Sequence, residues 1–389
     1  MNENMRDVII VSKVDLNYGN SAAVARMNNY AKALSLNKKN NVYLIPLNRI
    51  ENDSEFIQIK SNIYSITKNK FRNIGKYNFL SNYFLFLRFK TLLKKAKKES
   101  PIIYYPNTDT IIFDFLLILF TKNNIYCEVN EVRKYSSSSQ SNLLARMRIR
   151  LYNYFYEKTF RFYRGLIFIS PNIKEYYKKR TPNHITIPIL SDIIPFKKKE
   201  ISNEKSTFVF TGSVSFEKEN LHELIHGFKL YLTLGFDSEL LLYGSISKLD
   251  RNKLKSLLQE LSIQENVLYC GIIKQSLVIS ILQNADCLLL PRKNNKQNYY
   301  GFSTKLSEYA ISGTPIILTD TGVVSDFFRD KENCLMCNGY DRFAFKEQFI
   351  NFSNLSQEDK QRLAYNAYLT AQNSFSYKIH SAKLDNFIK

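Results

Sequence analysis

Two short apolar runs, Ala285-Asp-Cys-Leu-Leu-Leu-Pro291 and Pro315-Ile-Ile-Leu-Thr319, bracket a single helical stretch. Continuous apolar runs of this length read as strands buried on both faces. Between them, Ser303 or Thr304 can cap a helix whose apolar face is Leu306, Tyr309 and Ala310. Gly313 suits the left-handed residue after that helix, and Pro315 forbids its continuation. The unit is therefore strand, loop, helix, strand, with a Gly301-Phe-Ser-Thr304 turn at the helix N-terminus. Backbone N–H groups there, with the positive end of the helix dipole, suit a phosphate. Glu308 lies one turn beyond Thr304. It is either a carboxylate for sugar or ribose hydroxyls, or a solvated side chain.

The same alternation runs through the chain. Val8-Ile-Ile-Val11 begins a buried strand, 15–21 is a turn-rich loop, Ser21 can cap a helix over 22–36, and 41–46 is the next strand. Strands follow at 101–105, 124–130 and 165–170, with a helix over 109–120. In the second half, strands at 207–211, 240–245, 266–271 and 287–290 alternate with helices from 221, over 254–261 and over 277–283. Helices are also expected from 323 to 328 and over 341–352, 358–373 and 377–387. This is the pattern of doubly wound α/β sheets. A chain of 389 residues exceeds one core. We expect Rossmann-like domains at 1–195 and 196–375, and a closing helix over 376–389 that crosses back to the first domain. No Gly-x-Gly-x-x-Gly is present.

Composition narrows the setting. No apolar run approaches the ~18 residues of a membrane span, and the first residues lack a signal-peptide pattern. The five cysteines are odd in number, which argues for a reducing cytoplasm and against a disulfide framework. The net charge is +20, unevenly spread. Residues 1–195 hold 31 Lys and Arg against 14 Asp and Glu, hence +17; the remainder holds 24 against 21, hence +3. The first half thus suits an anionic partner, unless its lysines reflect only a coding bias.

Three further stretches carry competing readings. In 78–98 the positions 80, 83, 84, 87 and 91 form a helical stripe before a basic cluster. It reads as core packing with a solvated end, whose Lys94–Lys98 tip could touch lipid head groups. In 143–164, arginines alternate with aromatics; Leu144, Met147, Leu151, Tyr154 and Phe155 recur at helical spacing, so a buried helix with a basic edge is expected. Nucleic-acid binding there lacks a supporting motif, and no nucleic-acid partner is expected. His222-Glu-Leu-Ile-His226 matches a zinc-protease spacing, but only His184 and His380 remain as further histidines, so it reads as a chance match.

The stretch 300–308 resembles the signature of glycosyltransferase family 4, the retaining, metal-independent sugar transferases of GT-B fold. In that family a Glu, then Gly-Phe, then a second Glu eight positions after the first bind the nucleotide sugar. Gly301, Phe302 and Glu308 match, while Tyr300 stands where the first Glu would be. The resemblance implies two Rossmann-like domains facing across a cleft, with the ribose on Glu308. It also implies a Gly-loop-Lys phosphate site at Gly212 and Lys218; Ser213 occupies the place of a common Arg. A missing cation could come from Arg292, Lys293 or Lys305. Ser303 and Thr304 belong to the donor turn, and Gly-Ser at 244–245 stands in for a Gly-rich turn. In the first half, Gly19 and Asn20 match a loop facing the donor phosphates, Arg26 could reach the same place or be a surface charge, and Glu131 is the candidate to steer the acceptor hydroxyl. Glu131 and Lys218 are the catalytic candidates. The implied activity is transfer of a sugar from a nucleotide-diphosphate sugar to a glycan or lipid-linked acceptor in cell-envelope polysaccharide biosynthesis, with no metal or other cofactor. The enzyme would be cytoplasmic and peripheral at the inner membrane face. The alternative is a non-catalytic GT-B-like subunit supporting a partner transferase.

Overall fold

The computed structural model describes residues 5–13, 22–51, 53–66, 79–96, 100–106, 111–121, 124–135, 143–180, 183–198 and 205–389. The chain forms two compact units. One comprises the residues up to Asp192 together with Tyr377–Lys389; the other is Ile193–Ser376.

The first unit contains β1 (Arg6–Ser12), α1 (Ala22–Ser35), β2 (Asn40–Pro46), β3 (Phe56–Lys60), β4 (Ile63–Ile66), α2 (Phe79–Leu93) and β5 (Ile102–Tyr105). It continues with α3 (Ile111–Phe120), β6 (Ile125–Val129), α4 (Leu143–Thr159), β7 (Gly165–Phe168), α5 (Pro171–Tyr177) and β8 (His184–Thr186). The sheet order is β3-β4-β2-β1-β5-β6-β7-β8. Every pairing is parallel except the antiparallel edge of β3 with β4. That edge hairpin is not foreseen in the sequence. Val8, Ile10, Val42, Ile103 and Ile167 project into one core cluster with α1. Alternate residues Ile9, Val11, Ile102 and Cys127 are just as buried, so the sheet is covered on both faces.

The second unit contains β9 (Ser206–Thr211), α6 (Leu221–Leu232), β10 (Ser238–Tyr243), α7 (Lys248–Leu261), β11 (Val267–Gly271), α8 (Gln275–Asn284) and β12 (Cys287–Leu290). Then come α9 (Lys296–Tyr300), α10 (Thr304–Ser312), β13 (Ile316–Thr319), β14 (Leu335–Cys337), α11 (Arg342–Asn354) and α12 (Gln357–Ser374). Its sheet is wholly parallel in the order β11-β10-β9-β12-β13-β14. The chain winds outward from β9 in one direction, then returns to β12 and winds in the other. The switch point lies between β9 and β12, and crevices outside the carboxyl ends of such strands are where doubly wound sheets bind ligands. The last helix, α13 (Tyr377–Phe387), belongs to the first unit and packs on α1, with Leu384 and Ile388 in the same cluster.

Several expectations need correction. The stretch before α10 holds a short helix, α9, because Asn295 caps it by accepting from the backbone N–H of Asn298 at 2.9 Å. The helix expected over 323–328 is a single 3-10 turn over Val324–Asp326. More consequential are α2 and α4, whose stripes expected in the core face outward. Leu80 is 62% exposed and Phe84 55%; the inward residues are Leu85, Phe86, Phe89 and Leu92. Met147, Leu151 and Tyr154 are each close to 60% exposed, and the inward side chains are Tyr152 and Tyr156 of α4 and Phe160 just past its end. These helices are apolar on both sides, and Arg133 sets which side of α4 turns in. Its guanidinium sits 3.8 Å over the Tyr156 ring and donates to the Tyr152 hydroxyl.

Candidate functional site

At the switch point the end of β9 is fixed from α10. The Tyr309 hydroxyl accepts from the Thr211 backbone N–H at 2.9 Å and from the Thr211 hydroxyl at 3.3 Å. Gly212 follows at φ +132°, its N–H bonded to the Tyr243 carbonyl at 2.8 Å. A Cβ on Gly212 would lie 2.0 Å from Lys305 Cε, so only glycine lets the lysine side chain cross over the strand end.

Lys305 ends on a carboxylate that the sequence reading did not single out. Its Nζ donates to Glu219 Oε1 at 2.9 Å and lies 4.1 Å from the centre of the Phe210 ring. Glu219 is fully buried. Arg292, also buried, places its Nε 3.4 Å from Glu219 Oε2 without forming a hydrogen bond. Its other nitrogens donate to Asn298 Oδ1 at 3.0 Å and to Ser303 Oγ at 2.7 Å. Ser303 therefore orients Arg292 instead of capping α10 with its side chain. Asn298, likewise missed, donates to the Lys218 carbonyl at 3.1 Å and the Lys293 carbonyl at 2.8 Å, tying the β9 loop to the β12 loop.

The electrostatics follow from this crowding. Burial pulls the Lys305 ammonium down to about 8, against the Glu219 carboxylate, with Arg292 and Lys218 adding to the fall. Burial pushes Glu219 up, but Lys305, Arg292 and Lys218 outweigh it and hold the group below the usual carboxylate range. Burial raises Glu308, which Lys305 only partly opposes. Three cations thus converge on one firmly ionised carboxylate, beneath the N-terminus of α10. Such a place lacks negative charge and favours an anion.

The other candidates divide. Ser213 is exposed beside Gly212, and Lys218 lies half-buried close enough to act on both Glu219 and Lys305. Thr304 opens α10, and Glu308 sits one turn further along, partly buried. Gly301 ends α9 by donating to the Gln297 carbonyl at 2.9 Å, and the Phe302 ring packs 5.5 Å from Phe327 and 5.8 Å from Phe375. Gly301 thus closes α9, and Phe302 packs among aromatic rings. Glu131 lies in the first unit, half-buried just after β6. Arg26 is not a free surface charge: it is buried, pairs with Glu128 and donates to the Pro188 carbonyl at 2.6 Å. Gly19 and Asn20 lie outside the described residues.

The His-Glu-x-x-His helix holds α6 to α11. Glu223 accepts from Arg342 Nε at 3.0 Å and Nη2 at 3.2 Å, and from the Arg342 backbone N–H at 3.1 Å. A neighbouring Arg342 nitrogen lies 3.3 Å from His226 Nδ1. With its carboxylate taken and a cation against one imidazole, the motif is a packing device. Chelator is expected to leave the melting midpoint unchanged; a drop on adding EDTA would reinstate a structural metal.

Residues 192–370 match the family described as glycosyl transferases group 1. The match spans the unit that carries the cation cluster. Among solved structures, the fold is similar to sucrose-phosphate synthase from Thermosynechococcus elongatus, at 14% identity and a TM-score of 0.74, over 98% of both chains. It is similar to α,α-trehalose 6-phosphate synthase from Burkholderia multivorans, at 11% identity and 0.67, over 99% of this chain and 98% of that one. It is also similar to the trehalose-6-phosphate protein from E. coli bound with UDP-2-fluoro glucose, at 11% identity and 0.66, over 98% and 99% of the two chains. The fold is GT-B. No curated protein sequence matches the chain.

Proposed function

We propose that this protein is a glycosyltransferase that takes a sugar from a nucleotide-diphosphate sugar. The observation that carries the reading is the cluster of Lys305 and Arg292 on buried Glu219 at the switch point. In this reading the donor diphosphate lies over the N-terminus of α10, with Lys305, Lys218 and Arg292 as its counter-charges. Glu308 accepts from the ribose hydroxyls. As the bond to the anomeric carbon breaks, negative charge builds on the leaving diphosphate, and fixed cations and amides stabilise it without reorganising. The cations do the work that a metal ion would do elsewhere, so the donor binds without one. The acceptor is a glycan or lipid-linked glycan of the cell envelope and the product retains the anomeric configuration, as the family resemblance implies. The basic first half suits an enzyme working on the cytoplasmic face of an anionic membrane.

Thermal-shift titration with UDP, GDP, ADP and their sugars tests this, beginning with UDP-glucose. One nucleotide should raise the midpoint of the parent protein and fail to do so with Glu308→Ala. Equal shifts in both proteins would remove Glu308 from the site.

One observation favours a second reading. Glu219 already neutralises much of the cation pair, and Tyr300 stands where the family's first Glu would be. A non-catalytic subunit supporting a partner transferase would have such a site. No stabilisation by any nucleotide would select it.

A further inference from the structure

We propose that the outer face of α2, α3 and α4 docks on an anionic lipid bilayer. The proposal gives a surface to the peripheral location put forward above and needs neither the donor nor the reaction.

The connections β4→β5, β5→β6 and β6→β7 all move the same way across a parallel sheet. Right-handed crossovers therefore put α2, α3 and α4 on one face, opposite α1. The three helices are in contact in that order. Besides its buried set, each points large apolar side chains outward. On α2 these are Leu80, Phe84 and Leu87, spaced along one stripe; on α3, Leu119 and Phe120. On α4 they are Met147, Leu151 and Tyr154. Ring contacts link the three helices: Phe86 to Phe120 at 6.2 Å, and Phe115 to Phe155 at 6.4 Å. Leu119 is 67% exposed and adds its apolar surface to the patch that the three helices share.

Charge decides what covers this face. Lys90 and Lys94 continue the α2 stripe, and Arg150, Lys158 and Arg161 continue that of α4; all five are exposed. The three helices carry only two acids. Asp114 is buried on the Tyr104 hydroxyl. Glu157 accepts from the Tyr177 hydroxyl at 3.0 Å and pairs with Arg180. A second copy would bring cations against cations. A bilayer with anionic headgroups accepts both parts, apolar side chains at the acyl boundary and long cationic side chains at the phosphates. Among the described residues no helix is long and apolar enough to cross a membrane, so the contact lies along the surface.

The full chain is sedimented with vesicles of one part phosphatidylglycerol to two parts phosphatidylcholine, and with pure phosphatidylcholine. Binding should be at least about tenfold tighter to the anionic vesicles and weaken steeply on raising salt. Leu119→Asp with Leu151→Asp should cost a further tenfold or more with no change in melting midpoint, because both side chains are exposed. Arg150→Gln and Lys158→Gln should each cost about fivefold. Absence of binding at low salt overturns the proposal. So does binding that ignores the leucine changes, or a dimer in sedimentation velocity that Leu151→Asp dissolves, which would make a second copy the occupant. Nucleotide titrations run in parallel keep the claims apart: a silent donor site leaves the docking face standing, and vesicle failure leaves the donor site standing.

Discussion

Replacing Lys305 with alanine should abolish stabilisation by nucleoside diphosphates and lower the unfolding free energy by ~3 kcal/mol. The ammonium is the closest cation to Glu219, which is fully buried, and Arg292 reaches the same carboxylate only at 3.4 Å. Removing Lys305 leaves a buried charge short of its partner, and that shortfall, not the lost attraction alone, sets the cost. The double replacement Lys305→Met with Glu219→Gln separates the two effects. Much of the stability should return, because no buried carboxylate is left short of its ammonium and Arg292 keeps its bonds to Asn298 and Ser303, while nucleotide binding should stay lost. A Lys305→Ala protein that melts with the parent and still responds to nucleotide would sink the assignment.

The same amine sets a pH dependence. Its folded pKa of about 8 lies below the ~10.4 of an unperturbed lysine. Between those values the unfolded chain binds more protons, so this group adds stability as pH rises through the window. Donor binding runs the other way. Phosphate favours the charged amine, so affinity should fall above about pH 8, and binding there should take up protons. Calorimetry at pH 8.5 in two buffers of different ionisation heat measures that uptake; none at all would mean that Lys305 does not face the phosphates. Glu219 acts at the other end of the scale. Its depressed folded value contributes stability above the ordinary carboxylate range, lost as pH falls through it.

What the sequence shows and hides follows from the range of each interaction. Strands such as Cys287–Leu290 and Ile316–Thr319 are legible because a strand buried on both faces is an apolar run wherever it sits. The helix between them is legible because its cap region and closing Gly313, at φ +75°, are local. Glu219 is not legible. Next to Lys218 it reads as one more loop charge, and only the strand order brings Lys305 to it across 86 positions. Asn298 is hidden for the same reason, since its partners lie on two loops. The stripes of α2 and α4 fail differently. Periodicity finds an apolar face, but Leu80, Phe84 and Leu87 compete with Phe86, Phe89 and Leu92 on one helix, and spacing alone does not say which set turns inward. Packing on the sheet decides it for α2, as Arg133 does for α4, and the surplus set left outside forms the proposed docking face.

Gly244→Ala is the second change expected to act strongly, although it carries no side chain to lose. In sequence, the Gly-Ser at 244–245 looks like the remnant of a richer turn. In the structure a Cβ there would lie 1.8 Å from the Gly212 carbonyl oxygen, a backbone atom that cannot step aside. The φ of +130° is also one that alanine strains to adopt. Accommodation must push the end of β9 away from β10, and with it Gly212, over which Lys305 passes. Gly235→Ala separates the two costs, because Gly235 has φ +91° and no atom within 4 Å of its would-be Cβ. It should lose only the backbone strain, ~1 kcal/mol, and keep its nucleotide response. Gly244→Ala should lose ~2 kcal/mol more in urea unfolding and lose the nucleotide response as well. Equal costs for the two would mean that the contact between the strand ends relaxes freely. The placement of Lys305 would then rest on Glu219 and Phe210 rather than on the glycines beneath it.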